Sequence, residues 1–111
     1  MLSEAKKAMR VTAAQYDSDI MDLLIAGKRD LEIAGVIIPG TISYTVSTAG
    51  AVTDTSTLKD PLVQRAIITY ARMYFGSPAD YDRLEAAYNT QKVQLMHAAD
   101  YTDYTGGDAG C

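Results

Sequence analysis

The sequence contains one cysteine, one histidine, one phenylalanine and no tryptophan. The single cysteine, Cys111, excludes an internal disulfide framework and a cysteine-based zinc site. The single histidine, His97, leaves no pair of imidazoles to ligate a metal. Long apolar runs are missing too: the uncharged stretch Val36–Thr53 is broken by Pro, Gly, Ser and Thr and does not read as a membrane span. The N-terminus lacks the charged-then-apolar pattern of a secretory signal, so the expectation is a soluble, reduced, intracellular protein. Basic residues are outnumbered, ten against 14 acids, giving a net charge of −4 and a pI near 4.7. That balance argues against a tight, sequence-independent grip on nucleic acid, which needs clustered Lys and Arg.

What is present fits one domain of 111 residues. The hydrophobic fraction of 48% overstates the core, because 16 of those residues are Ala and only 28 are Ile, Leu, Val, Met or Phe. A chain this short buries about 65% of its unfolded surface. A thin core, made firmer by packing against other copies, is the expectation.

The punctuation predicts a mainly α fold: about four helices with a β-hairpin-like insertion between the second and third. Ser3 is placed to cap a short helix, Glu4 to about Arg10. Asp17 is a candidate N-cap for a second helix, with Tyr16 and Met21 as a hydrophobic staple. Ile20, Leu23, Leu24, Gly27, Leu31 and Ala34 form its apolar stripe, with Met21 and Ile25 off it. Gly35 is a C-terminal stop, with Val36 folding back onto Leu31. Gly27, inside the stripe, predicts close approach of a neighbouring backbone. Within residues 37–57, Thr41–Val46 alternates at a period of two, Ser47-Thr48-Ala49-Gly50 reads as a turn and Ala51–Thr55 as a return strand, which predicts a hairpin near 41–46 and 51–55.

Asp60 as N-cap and Pro61 at the first helical position open a third helix. Leu62, Val63, Ala66, Ile67, Tyr70, Ala71 and Tyr74 make its apolar face. Gln64, Arg65, Thr69 and Arg72 make the polar one, with Ile68 among them. After Gly76, Ser77-Pro78-Ala79-Asp80 opens a fourth helix with Pro again at its first position. Tyr81, Leu84, Tyr88, Gln91 and Leu95 lie on one side of it, and Ala86, Asn89 and Val93 on another. The domain is expected over residues 1–99, followed by an acidic tail, 100–111, that is flexible until a partner orders it.

No catalytic set emerges, and no cofactor or metal is expected. Gly106-Gly107 has neither the following Lys nor the strand-to-helix turn of a phosphate loop. His97 has no acid at a fixed offset. Asp17, Asp19 and Asp22 lack the Gly and distal Glu of a calcium loop, and Asp80, Asp82 and Glu85 read as carboxylates near a helix start. A helix-turn-helix reading fails on sign, because the fourth helix would meet phosphates with Asp80 and Asp82. Lys6, Lys7 and Arg10 read as a solvated basic face.

Two features stand above this background. Ile68, Met21, Ile25 and Val93 lie off the main stripes, and the hairpin region adds Ile37, Ile38, Ile42 and Val46, more than one small core can take. Surplus of that kind marks interfaces. Tyr70, Tyr74, Tyr81 and Tyr88 gather around one helical hairpin, and tyrosine favours boundaries that are apolar at one end and wet at the other. The candidate subunit interface is therefore Ile42, Tyr44 and Val46 on the hairpin, with Arg65, Ile68 and Arg72 on the third helix.

The blocks Leu2–Val11, Asp19–Ile25, Lys28–Val36, Asp60–Tyr70 and Met73–Gly76, followed by a helix with Tyr81, Tyr88 and Leu95 and then Asp100-Tyr101, resemble the head–tail connector family of tailed phages. These are small adaptors often labelled DNA-packaging proteins, and the resemblance covers most of residues 2–101. It implies a helical virion subunit forming a ring, expected as a dodecamer, under the portal protein. Such a ring meets tail-completion proteins and continues the DNA channel without sequence-specific binding. It is assembled in the host cytoplasm, contacts no membrane, and has no catalytic residues to carry over. An acidic wall that binds phosphate weakly would suit sliding DNA. The alternatives are a small helical regulatory module binding protein or nucleic acid through Arg65 and Arg72, or another tail-completion protein.

Overall fold

The structure, a computed structural model, describes residues 1–76 and 78–97. The expected tail, with Gly106, Gly107 and Cys111, lies outside the described residues, as do Ser77 and the last residues of the expected 1–99 domain. Four α-helices run in the order α1 (Leu2–Met9), α2 (Asp17–Ile33), α3 (Pro61–Tyr74) and α4 (Tyr81–His97). Between α2 and α3 stands an antiparallel hairpin of β1 (Tyr44–Val46) and β2 (Val52–Asp54), in register Tyr44 with Asp54, Thr45 with Thr53 and Val46 with Val52.

Helix α3 is central, packing against α4, α2 and α1. Its Val63, Ala66, Ile67 and Ala71 are fully buried. They meet a core containing Leu2 and Ala5 of α1, Ile20, Leu24 and Leu31 of α2, and Leu84, Tyr88 and Leu95 of α4. Met21, expected off the stripe, is fully buried as well. Helix α2 is covered by both α1 and α3, so its apolar face is wider than one stripe. On α3 the polar assignment of Thr69 is corrected: it is buried, and its hydroxyl donates to the Arg65 carbonyl at 2.9 Å. Leu62 and Tyr74, expected inside, are exposed at the two ends of the helix, where the covering helices stop.

Helix boundaries follow cap chemistry in part. Asp60 accepts from the backbone N–H groups of Leu62 at 2.9 Å and Val63 at 3.3 Å, with Pro61 first in the helix, as expected. Gly35 (φ +102°) ends α2 in the predicted Schellman turn: Val36 N–H donates to the Leu31 carbonyl and Gly35 N–H to that of Glu32, both at 3.0 Å. Helix α1 closes in the same turn, Val11 to Lys6 and Arg10 to Lys7. There the left-handed position holds Arg10 (φ +58°), a backbone state costing a non-glycine residue roughly 1–2 kcal/mol.

Two expected caps, a staple and a helix start are corrected. Ser3 lies inside α1, which starts a residue before it. The N-terminal cap comes instead from the hairpin: Asp54 Oδ2 accepts from Leu2 N at 2.9 Å and from the Met1 ammonium at 2.7 Å. Asp17 is already helical, preceded by a 3₁₀ turn at Ala14–Tyr16. Its carboxylate meets Lys6 at 2.7 Å, tying the start of α2 to α1. The Tyr16 ring meets Phe75 edge-on at 5.5 Å rather than serving as a staple. Pro78 precedes α4 by a turn, and the helix begins only at Tyr81, with Leu84 N–H bonded to the Asp80 carbonyl at 3.0 Å.

The hairpin strands are shorter than expected, but the pairing continues below them. Thr55 N–H donates to the Ser43 carbonyl at 2.9 Å, and Thr57 N–H to that of Thr41 at 2.9 Å. The arms cross closely at Gly40 (φ +101°), where a Cβ would lie 2.8 Å from Leu58 Cα, so a side chain is excluded there. Ser47–Gly50 forms the turn, with Gly50 N–H bonded to the Ser47 carbonyl at 2.9 Å. A hairpin alone is marginal in water. This one is anchored by buried Val36, Ile38, Ile42 and Leu58 at its base.

Candidate interface surfaces

The Tyr residues singled out in the sequence form one chain of rings. Tyr81 meets Tyr74 at 6.3 Å between centroids, Tyr74 meets Tyr70 at 4.8 Å, and Tyr70 meets Tyr88 at 5.4 Å. The chain runs from the exposed end of the α3–α4 pair into the core, where Tyr88 is buried. Its inner end is closed by charge. The Tyr88 hydroxyl donates to Asp30 of α2, and Lys92 Nζ reaches the same oxygen at 3.2 Å. Burial first, then the bond to Asp30, push the Tyr88 phenol far above the ordinary tyrosine range.

Tyr70 also explains Gly27. A Cβ at Gly27 would lie 3.0 Å from Tyr70 Cδ1 and 3.2 Å from its Cβ and Cγ. The close approach is real, but it comes from the root of a side chain rather than from the expected backbone.

The expected interface residues separate. Ile42 is 8% exposed and belongs to the chain's own core. Ile68 and Tyr44 are partly buried against that core. Tyr44 points its hydroxyl at Asp22 of α2, donating at 2.8 Å, and this bond raises its phenol pKa. Val46 is 55% exposed near the hairpin tip, and Arg65 is exposed on α3. Arg72 sits elsewhere, in a groove with Arg10 and Arg83.

Of the expected surplus, Ile25, Ile37, Val46 and Val93 are exposed, whereas Met21, Ile38 and Ile42 are buried and Ile68 is partly so. Ile25 and Ile33 are exposed on α2, Ile33 at 72%, with Arg29 exposed between them. The spacing of these three places them along one side of the helix. Ile37 follows just beyond α2, and Val93 lies on the outer face of α4. Ile33 sits in the last turn before the glycine stop, outside the stripe that periodicity identifies.

Chemistry is sparse. Among the described residues no group of three or more His, Cys, Asp or Glu side chains could hold a metal ion. Asp19 and Asp22 line an open cleft with Tyr16, Leu23, Tyr74 and Phe75. His97 is exposed in the last turn of α4. No described helix is long and apolar enough to cross a membrane.

Apolar side chains left outside the core of a small helical chain are the kind of surface that a partner covers. Residues 1–102 match the family described as phage connector protein, and the chain belongs to that family. No curated protein and no solved structure matches the chain.

Proposed function

We propose that this chain is one subunit of a ring under the portal of a tailed-phage capsid, continuing the DNA channel toward the tail. The family match across residues 1–102 carries the reading. The uncovered apolar side chains support it, since Ile33, Ile37 and Val46 are each at least half exposed and a neighbouring copy would cover them. A repeated head-to-tail contact that closes makes a ring. The hairpin tip at Val46, with Tyr44 and the Arg65–Ile68 side of α3, is assigned to that contact. Ile42 serves it from inside, by fixing the hairpin base. Partners are the portal above and tail-completion proteins below, and DNA passes through without sequence readout. The net charge of −4 suits a wall that does not hold phosphate.

Native mass spectrometry and negative-stain imaging of the chain with and without portal protein test this. A closed ring on the portal, with twelve copies as the expected number, supports it. A strict monomer at high concentration with no affinity for portal overturns it.

A further inference from the structure

The charge of this chain is unevenly placed. Residues 1–97 hold all ten Lys and Arg and 11 of the 14 acids, so they are nearly balanced. The remaining 14 residues hold Asp100, Asp103 and Asp108 and no base. The balanced part nevertheless carries a cationic groove of about 580 Å³, where the ends of α1 and α3 meet the start of α4. Arg10, Arg72 and Arg83 line it, with Met9 and Phe75 as apolar surface. Its one carboxylate, Asp80, is bonded by Arg83 at 3.0 Å and also feels the charge of Arg72, leaving the groove with a surplus of positive charge. Among the described residues neither Arg10 nor Arg72 has a carboxylate within ion-pair distance. Arg10 is also the sole described non-glycine residue at positive φ, in a turn that α2 closes with Gly35. An arginine kept in a glycine's place is the kind of local strain that accompanies a use for the side chain.

We infer that this groove is the docking site for the acidic C-terminal segment of the same chain, with Asp108 received by Arg10 and Arg72. The reach is sufficient. From Arg83 to His97, α4 runs about 21 Å at 1.5 Å per residue. Extended, the chain from His97 spans about 36 Å to Asp108, which exceeds that length, whereas the about 20 Å to Asp103 does not. Tyr104, four residues before Asp108, matches the apolar surface of Met9 and Phe75. A short tether holds the segment at about millimolar effective concentration, so in free subunits a chain's own tail outcompetes that of another copy. This inference is independent of ring formation.

Cys111, the only cysteine, allows a direct test on the full chain. A nitroxide on Cys111 should broaden the amide signals of Arg10, Phe75 and Arg83. The signals should recover in Arg10→Gly/Arg72→Gln, where glycine suits the left-handed backbone and the fold is retained. They should recover equally in Asp100→Asn/Asp103→Asn/Asp108→Asn, and at about 0.5 M salt. Groove signals that do not broaden, or broaden equally in these variants, overturn the inference. So does broadening confined to mixtures of spin-labelled chain and isotope-labelled Cys111→Ser chain, which would mark a tail from another copy.

Discussion

Tyr88 on α4 donates its hydroxyl proton to Asp30 on α2, 58 residues away in sequence, and so locks the two helices that flank α3. Removing the hydroxyl with Tyr88→Phe keeps the ring and loses the bond to a charged acceptor, at a cost of about 1–2 kcal/mol. Thermal unfolding should show a midpoint lower by roughly 4–8 °C per kcal/mol. Because the folded phenol holds its proton more tightly than the unfolded one, this contribution is whole below pH about 10 and declines as pH rises further. Wild type should lose stability above that pH more steeply than Tyr88→Phe.

Asp54 titrates in the opposite sense. Burial alone would raise its pKa, but bonds from the Met1 ammonium, Ser56 and Leu2 N–H hold it far below the usual carboxylate range. Its stabilisation is present above pH about 4 and is lost as pH falls through and below that value. Asp54→Asn should be less stable than wild type by about 2 kcal/mol at neutral pH. In urea unfolding between pH 3 and 7, the difference should shrink toward the acid end. A constant difference would mean that charge plays no part.

Gly27→Ala sets two terms against each other. Alanine is worth about 1 kcal/mol more than glycine in a helix interior. The new methyl, however, meets three Tyr70 atoms at 3.0–3.2 Å. Tyr70 is held between Tyr74 and Tyr88, so it has little room to yield, and overpacking costs of about 1–3 kcal/mol should prevail. Gly27→Ala is expected to destabilise the wild type and to stabilise Tyr70→Ala, a sign reversal that a double-mutant cycle in urea measures directly.

For assembly, Val46→Asp is the clean probe. Val46 is exposed, so circular dichroism and the unfolding midpoint should stay within about 0.5 kcal/mol of wild type while ring formation on the portal is lost. Ile68→Asp is a poorer probe. Its side chain packs partly against the core, and burying a charge there should lower stability as well as assembly.

Helix number, order and the hairpin between α2 and α3 were legible because their signals are local. Asp60-Pro61 and Gly35 act on neighbours a few residues away, and a period of two or 3.6 needs no tertiary knowledge. Where reading by local rules failed, the partner was distant. Ser3 looked like a cap because nothing nearby suggests that Asp54 arrives to do the work. Asp17 looked like one because its pairing with Lys6 crosses a turn. Met21 and Thr69 were placed outside by the width of a single stripe, whereas α2 and α3 are each covered on more than one side. Ile42 read as surplus because a sequence does not say how deeply a hairpin base is set.

The Asp54 clamp also orders events in time. Helix α1 precedes the hairpin in the chain, yet the group that terminates its N-terminal end lies 52 residues later. A helix of eight residues does not persist in water by itself. It must therefore wait for the hairpin, and closing so long a loop comes after the local pairing of α3 with α4. Pulse-labelled hydrogen exchange during refolding should show Ala5 protected later than Ala71. Protection of Ala5 at or before that of Ala71 would show that α1 forms without the clamp. Of the four described helices, the one that comes first in sequence is the last to be finished.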